Sequence, residues 1–393
     1  MSHFILRSIH AAQQPWISKG DFYRHLARHI YRIGLTAILF AASLIPAQAA
    51  ESLMVDHQKM RTHGLVELSY VDGHLTGINY PEHLQVDVNQ PPHCALDQTT
   101  SHAQLRRSAW VWQSSRLLAD PKAAAEFIRR SADVGISRLF VQVQPDLAGF
   151  PALFALAKAK NVSLFALGGE PEFVQNPAMA LALVDQVLAY NALHADKFSG
   201  IQFDIEPHGL PAYRDDPERT LARYVELTAQ INKRVDRQLS LGFVIPFWFD
   251  QKTVNGTNLL KALLPAVDEL VLMSYRTTAD AIVKITANSF CLAQHSRAKI
   301  YLAVELAPIA DEQHFIFSEA QIEPYLIDDM LLAALRKTPP ASVPYTQKYT
   351  VNGSDLSFFP QQKKALAMMR IDLPLSNFNG WFINGLDAMW LHE

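Results

Sequence analysis

From residue 108 onward the chain alternates short runs rich in β-branched and aromatic residues with longer stretches whose apolar positions recur at three- and four-residue intervals. The first pattern predicts buried strands and the second amphipathic helices, and their alternation is the signature of a parallel sheet crossed over by helices. The strand-like runs fall at 109–112, 138–143, 163–167, 200–206, 239–247, 269–275, 300–306 and 380–383. Helical periodicity occupies 121–134, 150–159, 177–192, 218–235 and 259–267. Eight strands, each followed by a helix or long loop, predict an α/β fold, a closed (β/α)8 TIM barrel over 108–393, rather than an open doubly wound sheet. No Gly-x-Gly-x-x-Gly follows the first strand, so the dinucleotide-binding alternative lacks its fingerprint.

Ahead of the barrel, residues 50–107 form a small β-rich attachment and connector. The runs 65–70 and 75–80 flank Val71-Asp72-Gly73-His74, a hairpin signal with Asp-Gly at its turn, and Pro91-Pro92 with the polar stretch 98–101 reads as linker. Residues 1–49 have the layout of a signal peptide: a basic opening, a charge-free apolar run over 33–45, and Pro46-Ala47-Gln48-Ala49-Ala50, which offers the small residues needed for cleavage near Ala49. The apolar run is short for a bilayer span, and an uncleaved N-terminal anchor is the alternative. Either way the bulk of the chain is expected outside the cytoplasm, periplasmic or secreted. No second run of membrane length follows, so no membrane span is expected once the leader is removed.

The composition is globular: 393 residues, 49% hydrophobic and 19% charged, which excludes a disordered regulator or a disulfide-stapled scaffold. The formal charge is −3, with +4 in the first 32 residues and −7 in the rest, so no basic surface for nucleic acid is expected. The exported context permits a bridge between the two cysteines, Cys94 and Cys291, with two separate buried thiols as the alternative. Neither has a neighbour at ligand spacing, and no metal or other cofactor is expected. There is no Gly-x-Ser-x-Gly elbow, no His-Glu-x-x-His and no phosphate-cradling glycine loop, and Lys299 opens rather than closes its strand.

In a TIM barrel the chemistry sits where the strands end. The fourth run reads Ser199-Gly200-Ile201-Gln202-Phe203-Asp204-Ile205-Glu206-Pro207-His208. Side chains alternate along a strand, so Gln202, Asp204 and Glu206 share one face and Ile201, Phe203 and Ile205 the other. The apolar set belongs against the helices, which turns the polar set toward the barrel axis. Two carboxylates crowded there repel, raising the proton affinity of one and suiting it to general acid work. An Asp-x-Glu at a strand end also serves as an ion-pair partner or loop anchor, and by itself it does not decide between these roles.

Three short motifs in order, Ala166-Leu167-Gly168-Gly169, Ser199 through Glu206 and Met273-Ser274-Tyr275-Arg276, resemble the SxGG, DxxDxDxE and MxYD patterns of glycoside hydrolase family 18, the chitinase and endo-N-acetylglucosaminidase barrels. The resemblance implies a hydrolase acting on a polysaccharide or an N-acetylhexosamine-containing glycan. Glu206 matches the proton donor, Asp204 the carboxylate that orients the substrate acetamido group, and Tyr275 the hydroxyl that supports it. Ser199 and Gln202 replace the first two aspartates, Ala166 replaces serine, Arg276 replaces the aspartate after tyrosine, and Asn384 stands where a tryptophan floors the sugar site. A diverged enzyme and an inactive carbohydrate-binding barrel both fit these departures.

The seventh run ends on Glu305, and a glutamate there is the nucleophile of many retaining barrel glycosidases. Glu305 with Glu206 is therefore an alternative catalytic pair; a salt bridge to Arg276 is its structural alternative. Trp110 and Trp112 close the first strand, Trp248 and Phe249 follow the fifth, and Trp381 and Trp390 flank the eighth. Aromatic faces stack on sugar rings as well as filling cores. Trp248 and Trp390, beyond strand ends, are the candidates for sugar contact, with Gln202, His208, Arg276 and Asn384 as further substrate-binding candidates.

Overall fold

A computed structural model describes residues 60, 63–79, 105–323 and 343–391. The leader, the Pro91-Pro92 linker and Cys94 lie outside the described residues; Cys291 is disulfide-bonded. Eight parallel strands close into a barrel: β1 (Arg106–Val111), β2 (Arg138–Gln142), β3 (Ser163–Gly168), β4 (Gly200–Phe203), β5 (Ser240–Pro246), β6 (Glu269–Met273), β7 (Lys299–Glu305) and β8 (Phe378–Asn384). They follow one another around the barrel in sequence order, and β8 pairs with β1 to close it.

The crossovers are helices that start on cues visible in the chain. Asp120 accepts from the backbone N–H groups of Lys122 and Ala123 at the start of Pro121–Asp133, and Asp216 caps Pro217–Val235 through Arg219 N. In Pro217–Val235 the buried residues Leu221, Tyr224, Leu227, Thr228, Ile231 and Val235 recur at helical spacing, forming the stripe that packs on the strands. Facing it are the outward strand residues, Ile201, Phe203 and Ile205 among them, all essentially inaccessible to water.

Inside the barrel the residues of opposite parity stack in layers. Phe140 packs on Phe165 with centroids 4.5 Å apart and on Phe382 at 4.8 Å, and Trp110 meets Phe382 at 5.0 Å. Beneath them Arg138, at the start of β2, forms a buried ion pair with Glu269, at the start of β6 on the opposite wall. The Arg138 guanidinium also lies 4.5 Å from the Phe165 centroid and 5.1 Å from that of Tyr301. This layer holds the barrel closed at its N-terminal end with charge and ring faces together.

The stretch expected to be barrel from 108 to 393 is interrupted. The described parts of Asp311–Val351 group instead with the N-terminal hairpin as a separate compact unit. That unit is a four-stranded antiparallel sheet in the order Gln347–Val351, Glu312–Ser318, Leu65–Val71, His74–Asn79. The hairpin turn uses Asp72 and Gly73 at φ 49° and 76°, the left-handed pair that an Asp-Gly turn requires. A two-strand hairpin is marginal alone, which is the physical reason it recruits strands from between β7 and β8. Val66, Leu68, Tyr70, Phe315 and Phe317 form its apolar core, while its other face buries His314 against Ser69 Oγ at 3.1 Å and Glu67 at 3.3 Å. Among the described residues no helix is long and apolar enough to cross a membrane.

Because Arg138 and Glu269 are buried together, Glu269→Leu leaves a guanidinium without its counter-charge and should cost roughly 3–5 kcal/mol of stability. The double replacement Arg138→Met with Glu269→Leu should recover most of that loss. Urea midpoints at neutral pH check this; a double variant no more stable than the single one contradicts it.

Candidate active site

The site is assembled where β3 and β4 end side by side. The fourth strand, expected to run to Glu206, leaves the ladder after Phe203, because Pro207 has no N–H to donate and opens the short turn Pro207–Gly209. The last bond between the two strand ends runs from Asp204 N–H to the Gly168 carbonyl at 2.9 Å. Gly169, at φ 151°, lies flush against Asp204: a Cβ there would come within 2.2 Å of the Asp204 carbonyl oxygen. Only glycine permits that approach. It fixes Asp204 and Glu206 on the inner face and carries Glu170 alongside them.

Three carboxyls result. Asp204 and Glu206 keep part of their surface open, yet protein atoms crowd them closely enough for burial to dominate their ionisation. Burial, then the charge of Glu170, pushes Asp204 up to about 7. Burial, then Asp204, holds Glu206 well above the usual carboxylate range. Glu170 is itself pushed up to about 7 by burial and by Glu172. Asp204 Oδ1 is buried without a hydrogen-bond partner. Such an oxygen is costly to bury unless a ligand completes it.

Tyr275 follows β6 and is 3% exposed. Its hydroxyl is held well above the ordinary phenol range by burial and then by the charges of Glu305, Asp204 and Glu206, with Asn384 acting the other way. It is thus a neutral donor within electrostatic reach of the carboxyls. Tyr224 approaches from Pro217–Val235: burial, then Asp204 and Glu206, raise its phenol, and its hydroxyl is buried with no partner.

Glu305 has a different environment. It is fully buried; Oε1 accepts from Leu306 N–H at 2.8 Å and Ala307 N–H at 2.6 Å, and Oε2 accepts from Asn384 Nδ2 at 2.8 Å. Asn384 in turn accepts from Trp112 Nε1 at 3.2 Å. Burial lifts Glu305 to about 8 against the pull of these donors. Gly385, at φ 76°, is required here, since a Cβ would lie 2.8 Å from Glu305 Oε1. The Glu305–Arg276 ion pair, the structural alternative for Glu305, does not form; Arg276 donates to the Tyr275 carbonyl at 2.7 Å and lies over the Phe247 ring. Asp387 is a second anchor, accepting from Gln113 N–H at 2.8 Å and Ala388 N–H at 2.9 Å.

The remaining candidates divide. Gln202 is fully buried, its Oε1 accepting from Trp110 Nε1 at 2.5 Å, so it belongs to the barrel interior. His208 is 6% exposed, enclosed by Trp248 at 5.3 Å and Phe249 at 6.0 Å rather than facing solvent. Trp248 is half-buried beneath Lys252, and Trp112 is the other half-buried ring at a strand end. Trp390 packs on Phe127, 5.5 Å between centroids, and under Arg130, in the helical layer formed by Pro121–Asp133. Its short helix Leu386–Trp390 turns it away from the sugar-platform role that its sequence position suggests. The sequence reading stopped at Gly169 and missed Glu170; a carboxylate directly after a glycine pair at a strand end was the available signal. Among the described residues no group of three or more His, Cys, Asp and Glu side chains could hold a metal ion.

No family model matches the chain, and no curated protein matches it in sequence. Similar solved structures include a class V chitinase from Pseudomonas fluorescens Pf-5, 13% identical over 74% of this chain and 99% of that one, TM-score 0.37. An endo-β-N-acetylglucosaminidase from Cordyceps militaris is 14% identical over 74% and 89%, TM-score 0.39. A monomeric dihydrodipicolinate synthase variant is 13% identical over 51% and 63%, TM-score 0.32.

A carboxyl whose proton affinity rises on folding weakens the fold as pH climbs from the unfolded to the folded pKa. For Glu170 that window runs from the ordinary value of 4.5 to about 7. Glu170→Gln should therefore match the parent near pH 4 and exceed it in melting temperature at pH 8. An equal or lower melting temperature at pH 8 contradicts the placement of this carboxyl.

Proposed function

We propose that the protein is an exported glycoside hydrolase that cleaves a glycan bearing an N-acetyl group on the sugar at the scissile bond. The observation that carries this is the adjacent pair of dissimilar acids: Glu206, held well above the usual carboxylate range by burial and by Asp204, beside Asp204, whose buried Oδ1 has no protein partner. In this reading Glu206 gives its proton to the leaving glycosidic oxygen as that bond breaks. The acetamido carbonyl oxygen attacks the anomeric carbon from within the substrate, Asp204 Oδ1 accepts the acetamido N–H, and the Tyr275 hydroxyl supports the same group. Water, deprotonated by Glu206, then opens the cyclic intermediate with retention of configuration. Trp112 and Trp248 supply half-buried ring faces for sugar stacking. Glu305 takes no part as nucleophile here, because backbone N–H groups and Asn384 occupy its oxygens.

Glu206→Gln should lower turnover by a factor of roughly 10² or more while glycan binding survives. Asp204→Ala should be nearly as damaging, and a thiazoline mimic of the cyclic intermediate should inhibit the parent. Activity should fall on the acid side as Asp204 takes up a proton, and on the alkaline side as Glu206 loses one. Efficient cleavage of a substrate without the acetamido group, with fluorosugar labelling of Glu305, would replace this mechanism by a direct two-carboxylate one. Glycan binding without turnover by the parent would make the chain a carbohydrate-binding barrel. Export predicts that the extracytoplasmic protein begins at or near Ala50 on N-terminal sequencing; an intact Met1 on membrane-bound material counts against cleavage.

A further inference from the structure

A cavity of about 720 Å³ opens at the N-terminal ends of β1, β2 and β3, the barrel face opposite the carboxyls. Arg106, Arg107 and Arg138 line it with Ser137, Asn161 and Ser163, and none of its lining residues is acidic. Arg138 is neutralised by Glu269. Arg107 donates through Nη1 to the Val134 carbonyl at 3.1 Å, and its Nε is buried with no acceptor. Gly135, at φ 79°, makes room for this guanidinium, since a Cβ there would lie 2.7 Å from Nη1. Burial and the like charge of Arg370 both weaken the hold of Arg107 on its proton. Among the described residues neither Arg106 nor Arg107 has a carboxylate partner.

Two arginines on the wall of one cavity without counter-charge repel one another, although the chain as a whole carries −3 and has acids to spare. A single carboxylate offsets one of them. A phosphate group carries about −1.5 to −2 at neutral pH and three acceptor oxygens that guanidinium forks engage in pairs. We propose that this cavity is an anion site in which Arg106 and Arg107 hold a phosphate-type group, with Ser137, Asn161 and Ser163 as neighbouring donors. The volume exceeds what the anion alone fills, so a small phosphorylated molecule and free pyrophosphate both satisfy the chemistry. The site is separate from the carboxyl cluster and does not depend on the glycosidase reading.

Calorimetric titration of the full chain with inorganic pyrophosphate, with a hexose phosphate and with acetate, at constant ionic strength, tests this. At least one phosphate compound should bind, acetate should not, and Arg107→Gln and Arg106→Gln should each weaken binding by roughly tenfold. Tighter binding of the hexose phosphate assigns the cavity to a phosphorylated sugar, and tighter binding of pyrophosphate to the free anion. Arg106 is exposed, so its variant decides the matter if Arg107→Gln fails to fold. No binding of either phosphate compound, or unchanged binding by Arg106→Gln, overturns the proposal.

Discussion

The flush contact between the end of β3 and the end of β4 fixes the candidate site. Asp204 N–H is held by the Gly168 carbonyl, and Gly169 lies against the Asp204 backbone so closely that no side chain fits between them. Two consequences follow from chain geometry. Asp204 and Glu206, two residues apart, both stay on the inner side of the wall, and Glu170 is brought beside them from the neighbouring strand. Crowding three acids in a poorly solvated place then makes protons bind where water alone would release them. Packing of Ile201, Phe203 and Ile205 against the helices holds the wall in place from behind.

Acids at the strand ends fall into two kinds, separated by their hydrogen-bond partners. Glu305 and Asp387 are entirely buried, and backbone N–H groups of the adjoining segments donate to both. Such groups are structural: they tie the loop after β7 and the turn after β8 to the barrel rim. Asp204 has a buried oxygen with no donor, and burial, then the charge of Asp204, holds Glu206 well above the usual carboxylate range. Unmet hydrogen-bonding capacity beside a displaced pKa is what a substrate can use. At the other end of the barrel Arg138 is matched by an acid, Glu269, and among the described residues Arg107 has none.

The barrel was legible because its strands carry their own period. Ile201, Phe203 and Ile205 against Gln202 and Asp204 gave both the strand and its orientation, and the Asp-Gly hairpin was equally local. The exchange of strands into the smaller sheet was not legible, because Glu312–Ser318 is separated from Leu65–Val71 by more than two hundred residues and its pattern names no partner. Within the site, the inward direction of Asp204 and Glu206 followed from alternation. The engagement of Glu305 by Leu306 and Ala307 did not, since a backbone donor leaves no mark on residue type. Glu170 escaped because the non-standard backbone at Gly169 interrupts the alternation that would have placed it. His208 and Trp390 were judged by their nearness to strand ends, whereas the short turns that follow decide where their side chains pack.

The central claim is that burial and the neighbouring Asp204 hold the proton affinity of Glu206 well above that of an ordinary glutamate. Carboxyl-carbon NMR of the full chain, with glutamate labelled and the Glu206 signal assigned through Glu206→Gln, measures this directly. A titration midpoint well above the ordinary glutamate value of 4.5, moving downward when Asp204 is replaced by Asn, is the result this account predicts. A midpoint near the ordinary glutamate value of 4.5, unaffected by that replacement, would contradict it.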